Sequence, residues 1–143
     1  MFEIDYALAM DELDGMLARL ADPAPLLEHI GLYEVAEARE RIQRSKDDPL
    51  GYAWAPWMPS TAAQRARKGN ADQGLLWDTG ALLDSITASV AGNTVTIGSA
   101  VDYAGYLQDG TDRMAARPFL GWSADALAFY EHLTSEYLAG ALT

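Results

Sequence analysis

The sequence predicts an α+β fold, a small antiparallel β-sheet made of one hairpin and packed by N-terminal and C-terminal helices. The runs Ile86-Thr87-Ala88-Ser89-Val90 and Thr94-Val95-Thr96-Ile97-Gly98 alternate in polarity, are rich in β-branched residues, and are separated by Ala91-Gly92-Asn93. That is the signature of two strands joined by a tight turn. Apolar residues spaced three and four apart precede this region and follow it, as in helices that bury one face. Helices set around a hairpin, without the strand–helix alternation of parallel sheets, define the class.

In chain order, Ile4 to Leu20 reads as a helix with Tyr6, Met10, Leu13, Leu17 and Leu20 on one face, able to pack on its own domain or on a neighbouring subunit. Asp22-Pro23-Ala24-Pro25 ends it, because proline lacks the next donor and disfavours helix in its predecessor. A second helix is expected from Leu26 to Arg44, with Arg39, Arg41 and Arg44 suiting the negative end of its dipole, so that the two helices form a hairpin or a bent pair. Residues 45–74 hold Pro49, Gly51, Pro56, Pro59, Gly69 and Gly74 and read as a long loop. Trp54 and Trp57 flank Pro56 and pin this loop either to the domain's own core or to a partner. Asp78-Thr79-Gly80 offers an N-cap for a short helix carrying Leu82, Leu83 and Ile86. After the hairpin, Tyr103 to Gln108 reads as a short helix ending at Gly110, and Arg117-Pro118-Phe119-Leu120-Gly121 as an extended segment that sends Phe119 and Leu120 into the core. Arg117 is expected to pair with a carboxylate through its fork of donors. A final helix runs from the N-cap Ser123 to Gly140, with Leu127, Tyr130, Leu133, Tyr137 and Leu138 on its apolar side.

A chain of 143 residues is long enough to bury roughly 70% of its unfolded surface. The expected organisation is one domain over residues 1–143, with a helical N-terminal segment (residues 1–44), the long loop (residues 45–74) and an α+β core (residues 75–143). Half the residues are apolar, which suits a globular chain and not a disordered one. Without cysteine there is no disulfide, thiolate nucleophile or thiolate metal ligand. The start Met1-Phe2-Glu3-Ile4-Asp5 has no basic, apolar leader pattern and no apolar run approaches a bilayer span, so a cytoplasmic chain without membrane contact is expected. The net charge of -11 is uneven: residues 1–40 carry ten acids against two arginines, residues 41–70 six bases against two aspartates, and residues 71–143 nine acids against two arginines. An acidic surface repels phosphate at long range, which argues against tight DNA binding by the free chain. Arg65, Arg67 and Lys68 are candidates for a local contact, although the pattern favours a solvated loop.

Catalytic signatures are missing from the pattern. His29 and His132 stand alone, no nucleophile elbow, phosphate loop or dinucleotide fingerprint occurs, and Asp102, Asp109 and Asp112 match no calcium loop. No catalytic residue, cofactor or metal is expected.

An ordered series of short motifs runs through the chain. It comprises Ile30-Gly31, Asp48 to Pro56 with Thr61, Leu75-Leu76-Trp77-Asp78-Thr79-Gly80 and on through Ala81 to Ile86, Ile97-Gly98-Ser99, Tyr103-Ala104, Gln108-Asp109-Gly110-Thr111, and Ala116-Arg117-Pro118-Phe119-Leu120-Gly121. Over residues 30–125 this series resembles the phage virion-morphogenesis family, which includes tail-completion proteins of Mu-like and related myophages. One departure is Leu107-Gln108-Asp109-Gly110, where the family often has His-Gln-aromatic-Gly. The resemblance implies a structural virion protein that acts in tail completion or head–tail joining at the neck. It further implies a homo-oligomeric ring, expected to be hexameric, that contacts head-tail connector or tail tube proteins. DNA would pass through such a ring without specific binding, helped by an acidic lumen. The chain would be made in the host cytoplasm and end in the virion. The competing expectations are a small regulatory or adaptor protein that binds as a monomer, and a hydrolase using acidic residues.

Overall fold

The computed structural model describes residues 6–142, with side chains described from Met10 onward. The predicted start of the first helix at Ile4, and the side chain of Tyr6, therefore lie outside the described residues. Among the described residues, six α-helices surround one two-stranded antiparallel hairpin, an α+β arrangement. The helices are α1 (Tyr6–Ala21), α2 (Ala24–Glu40), α3 (Pro59–Lys68), α4 (Ala81–Ser85), α5 (Ala104–Asp109) and α6 (Ala124–Leu138). The strands are β1 (Ile86–Ala91) and β2 (Thr94–Ser99).

Strand register follows the sequence pattern. Ile86 pairs with Ser99, Ala88 with Ile97, and Val90 with Val95, leaving Gly92-Asn93 as a two-residue turn. Gly92 takes a φ of 58° there, a left-handed first position whose twist matches the strands. Helix α2 lies across the hairpin. The approach is close because Gly31 has no side chain: a Cβ there would sit 2.9 Å from the Cβ of Ala88 and 3.2 Å from Cγ2 of Val95. This gives the Ile30-Gly31 motif its physical reason.

Two apolar clusters result. One gathers Ile42, Trp54, Leu82, Leu83, Ile86 and Phe119; the other gathers Leu26, Ile30, Ala126, Tyr130, Leu133 and Tyr137 between α2 and α6. Ser123 caps α6 as its pattern predicts, its Oγ accepting from the N–H of Ala126 at 3.0 Å. Leu127, expected on the apolar side of α6, points to solvent, and Ala126 takes the buried position. Helix α1 packs on α6, where the two helices meet through polar groups. Nε and Nη2 of Arg19 donate to the carbonyl of Leu138 at 3.0 and 2.7 Å, and the Tyr137 hydroxyl donates to the carbonyl of Asp22.

Helix α2 continues into a π-helical turn, Arg41–Ser45, which ends at Lys46 with a left-handed φ of 55°. The Lys46 ammonium donates to the carbonyls of Ile42, of Gln73 at 2.7 Å and of Leu75 at 2.9 Å. Burial, with Arg65 nearby, pushes its pKa down to about 8. The expectation of an unbroken loop over 45–74 is corrected here, since α3 occupies its centre. Pro59 is that helix's first residue, where a missing N–H costs nothing, and Gly69 ends it at a φ of 76°. The prolines and glycines taken as loop punctuation are its start and stop.

Residues 117–120 form an extended strap outside the sheet, yet its main-chain groups find partners. The N–H of Arg117 donates to the carbonyl of Leu107 at 2.7 Å. The N–H groups of Phe119 and Leu120 both donate to Oε1 of Gln108 at 3.1 Å, and Nε2 of Gln108 donates to the carbonyl of Leu120 at 2.8 Å. Trp54 Nε1 donates to the carbonyl of Pro118 at 2.8 Å, and Nη1 of Arg41 to that of Phe119 at 3.0 Å. Arg117 does not meet a carboxylate as expected. Its Nε donates to the carbonyl of Ala55 at 2.8 Å and its Nη2 to that of Pro56 at 2.9 Å. Those two peptides belong to no helix or sheet ladder, so they offer part-buried free acceptors that the guanidinium fork fits. Burial lowers the pKa of Arg117 without discharging it, because guanidinium titrates far above neutral.

These contacts can be tested at two residues. Arg117→Lys keeps the charge but cannot match the fork, so one part-buried carbonyl loses its donor; urea denaturation should show a loss of about 1 kcal/mol. Glu34 is buried on α2 and accepts from the Tyr130 hydroxyl, and burial raises its pKa above the ordinary carboxylate value. Between the ordinary carboxylate range and this raised value the folded chain binds more protons than the unfolded chain, so Glu34 takes stability from the fold as pH rises through that window. Glu34→Gln should be more stable than the parent chain at neutral pH, and the advantage should shrink as thermal unfolding is followed down toward pH 4.5.

Candidate functional site

The 55–58 segment, α3, the 75–79 loop and the stretch from Tyr103 to Arg117 enclose a groove of about 790 Å³. Its lining is largely apolar, with Trp57, Met58, Leu75, Leu76, Trp77 and Tyr103 prominent, and Arg65, Lys68, Arg113 and Arg117 around them. Met58 is 67% exposed and Tyr103 45% exposed, so apolar surface faces solvent at the mouth.

Arg65 fixes the wall. It projects from α3 into the protein, where Nη1 lies 2.6 Å from Oδ1 of Asp78. Its Nη2 donates to the carbonyl of Gly74 at 3.0 Å and to that of Trp77, and its guanidinium carbon lies 4.9 Å from the centre of the Trp57 ring. One side chain thus joins α3, the 74–78 loop and Trp57 by ionic, hydrogen-bonding and cation–π contacts. The loop so held contains Leu76 at a φ of 62°, a conformation that costs a branched residue on the order of 1–3 kcal/mol and persists where its surroundings impose it. Opposite Arg65, Lys46 stands 5.9 Å from the centre of the Trp77 ring.

The sequence-predicted residues divide by location. Trp57, Arg65, Lys68, Asp78, Thr79, Tyr103 and Arg117 converge on the groove. Trp54 is buried in the chain's own core, where it bonds the strap beneath that carries Pro118 and Phe119. Gln108 and Gly110 secure that strap from its far side; a Cβ on Gly110 would meet the main-chain nitrogen of Ala116 at 2.7 Å. Gly80, with a φ of 92°, is itself the N-cap of α4, while Oγ1 of Thr79 accepts from the N–H of Ala81 at 3.3 Å. Asp78, expected as a cap, is engaged by Arg65 and Asn70 instead. The solvated-loop reading of the basic cluster is overturned for Arg65, which is buried, whereas Arg67 and Lys68 are exposed on a helix. Sequence reasoning missed Lys46 and Met58, and it gave Arg41 a role at the helix dipole without its bond to the strap. Lys46, a lone residue without periodicity, gave no signal, and Met58 was visible only as the residue before Pro59.

A second exposed apolar surface lies on α1, where Met10, Leu13, Leu17 and Leu20 are each more than half exposed. Among the described residues no group of three or more His, Cys, Asp or Glu is gathered in metal-binding fashion, and His132 lies 3.1 Å from Glu136 on the surface of α6. No helix among them is long and apolar enough to cross a membrane.

No curated protein and no solved structure matches the chain. The model of the phage virion morphogenesis family matches residues 5–139, taking in the groove, the strap that supports it and α1. The chain belongs to the phage virion morphogenesis family.

Proposed function

We propose that, within phage virion assembly, this chain is a non-enzymatic structural subunit of tail completion or head–tail joining that acts at the neck as part of an oligomeric ring. The observation that carries this reading, beyond the family itself, is that the exposed apolar surface includes two unlike faces, the outward face of α1 and the groove. A subunit in a ring needs two unlike faces, one for each neighbour, whereas a monomeric adaptor needs one. The partners are further copies of the chain and the connector or tail tube proteins above and below. The net charge of -11 suits a ring through which DNA passes without being held.

Deleting the coding sequence from the phage that carries it tests this. Electron microscopy of the lysate should show full heads and tails that fail to join, and supplying the intact chain should restore joined particles. Joined, infectious particles at normal yield without the chain would contradict the proposal.

A further inference from the structure

We infer that α1 of one copy docks its apolar face into the groove of the next copy, making a head-to-tail contact between identical chains. The inference rests on the proposed ring and names the surfaces that build it.

On a helix with 3.6 residues per turn, Met10, Leu13, Leu17 and Leu20 fall within about 80° of one another. Arg19 lies about 140° from the middle of that stripe. Arg19 is also the residue that bonds the carbonyl of Leu138, with its guanidinium beside Gly15 and Gly140. Helix α1 is therefore held to its own chain by the face opposite the stripe, and the stripe is turned outward. Exposures of 54%, 51%, 62% and 59% for the four residues mean that they do not fill the groove of their own chain. Four large apolar residues on one exposed face form a patch of the kind that marks an interaction site.

Charge identifies the occupant. Helix α1 carries Asp11, Glu12 and Asp14, and its one base, Arg19, is engaged with α6. Helix α3 carries Arg65, Arg67 and Lys68 and no acid. Lys68 and Arg113 reach the groove, and Arg67 is exposed beside Lys68 on the same helix. In a chain that is acidic elsewhere, the basic segment adjoins the apolar groove, and an acidic helix presents the apolar face that lacks a partner. Seating the stripe brings Asp14, next to it on the helix surface, toward this basic rim and favours the matching register. Because the two surfaces are different regions of one chain, the contact is heterologous and closes into a ring or runs on as a filament.

The test uses Leu17→Glu on the stripe and Met58→Glu at the groove mouth, both at exposed positions so that circular dichroism should report an unchanged fold. Light scattering should find multimers of the parent chain as concentration is raised, and monomers for each variant alone. Mixing the two variants should give a particle of two chains and nothing larger, since the intact helix of the Met58→Glu chain fits the intact groove of the Leu17→Glu chain. A parent chain that stays monomeric, variants that assemble like the parent, or a mixture that stays monomeric would each overturn the inference. Ring-sized particles that persist in both variants would remove the α1 contact while leaving the neck reading standing, since that reading is decided by the joining of heads and tails.

Discussion

Between Arg117 and Leu120 the chain runs extended through the core with no strand beside it, and side chains supply the hydrogen bonds that a sheet would have supplied. Gln108 binds three of its main-chain groups, Trp54 and Arg41 one each, and the carbonyl of Leu107 takes the N–H of Arg117. A buried amide or carbonyl left unpaired costs on the order of 1–3 kcal/mol, so six groups left bare would cost more than a marginal fold can bear. Pro118 removes one donor from the problem. The arrangement places Phe119 among Ile42, Leu82, Leu83 and Ile86, and it lets the buried Arg117 hold the 55–56 peptides.

The groove depends on this strap. Its floor is the segment that Arg117 secures, and its wall is the 75–79 loop that Arg65 and Lys46 fasten to α3 and to the end of α2. In each case a cation meets mostly peptide carbonyls, which hold a loop in place without requiring a sheet. The apolar lining is therefore carried on irregular backbone with fixed geometry, a suitable base for a contact between virion subunits. Helix α1 differs in kind, because Arg19 ties it to α6 while its apolar stripe from Met10 to Leu20 is left uncovered.

Much of the fold was legible in the sequence because it rests on short-range rules. Alternation around Gly92-Asn93 marked the hairpin, Ser123 marked the start of α6, and Gly110 marked the end of α5. Helix α3 was not legible, because its sequence is polar on all but one side and lies between prolines and glycines that read equally well as loop. The partners of Arg117 were hidden for another reason. Charged residues suggest ion pairs, but the carbonyls of Ala55 and Pro56 come within reach only when residues about sixty positions apart are packed together. The motif series located most residues of the groove without disclosing that they meet.

The most direct measurement of this account is native-state hydrogen exchange at the amides of Arg117, Phe119 and Leu120. If the strap is the element on which core and groove depend, these amides should exchange only through unfolding of the whole molecule, with the protection found at the centre of α2. Exchange by local opening, at the pace of exposed loops and while α2 stays protected, would contradict it.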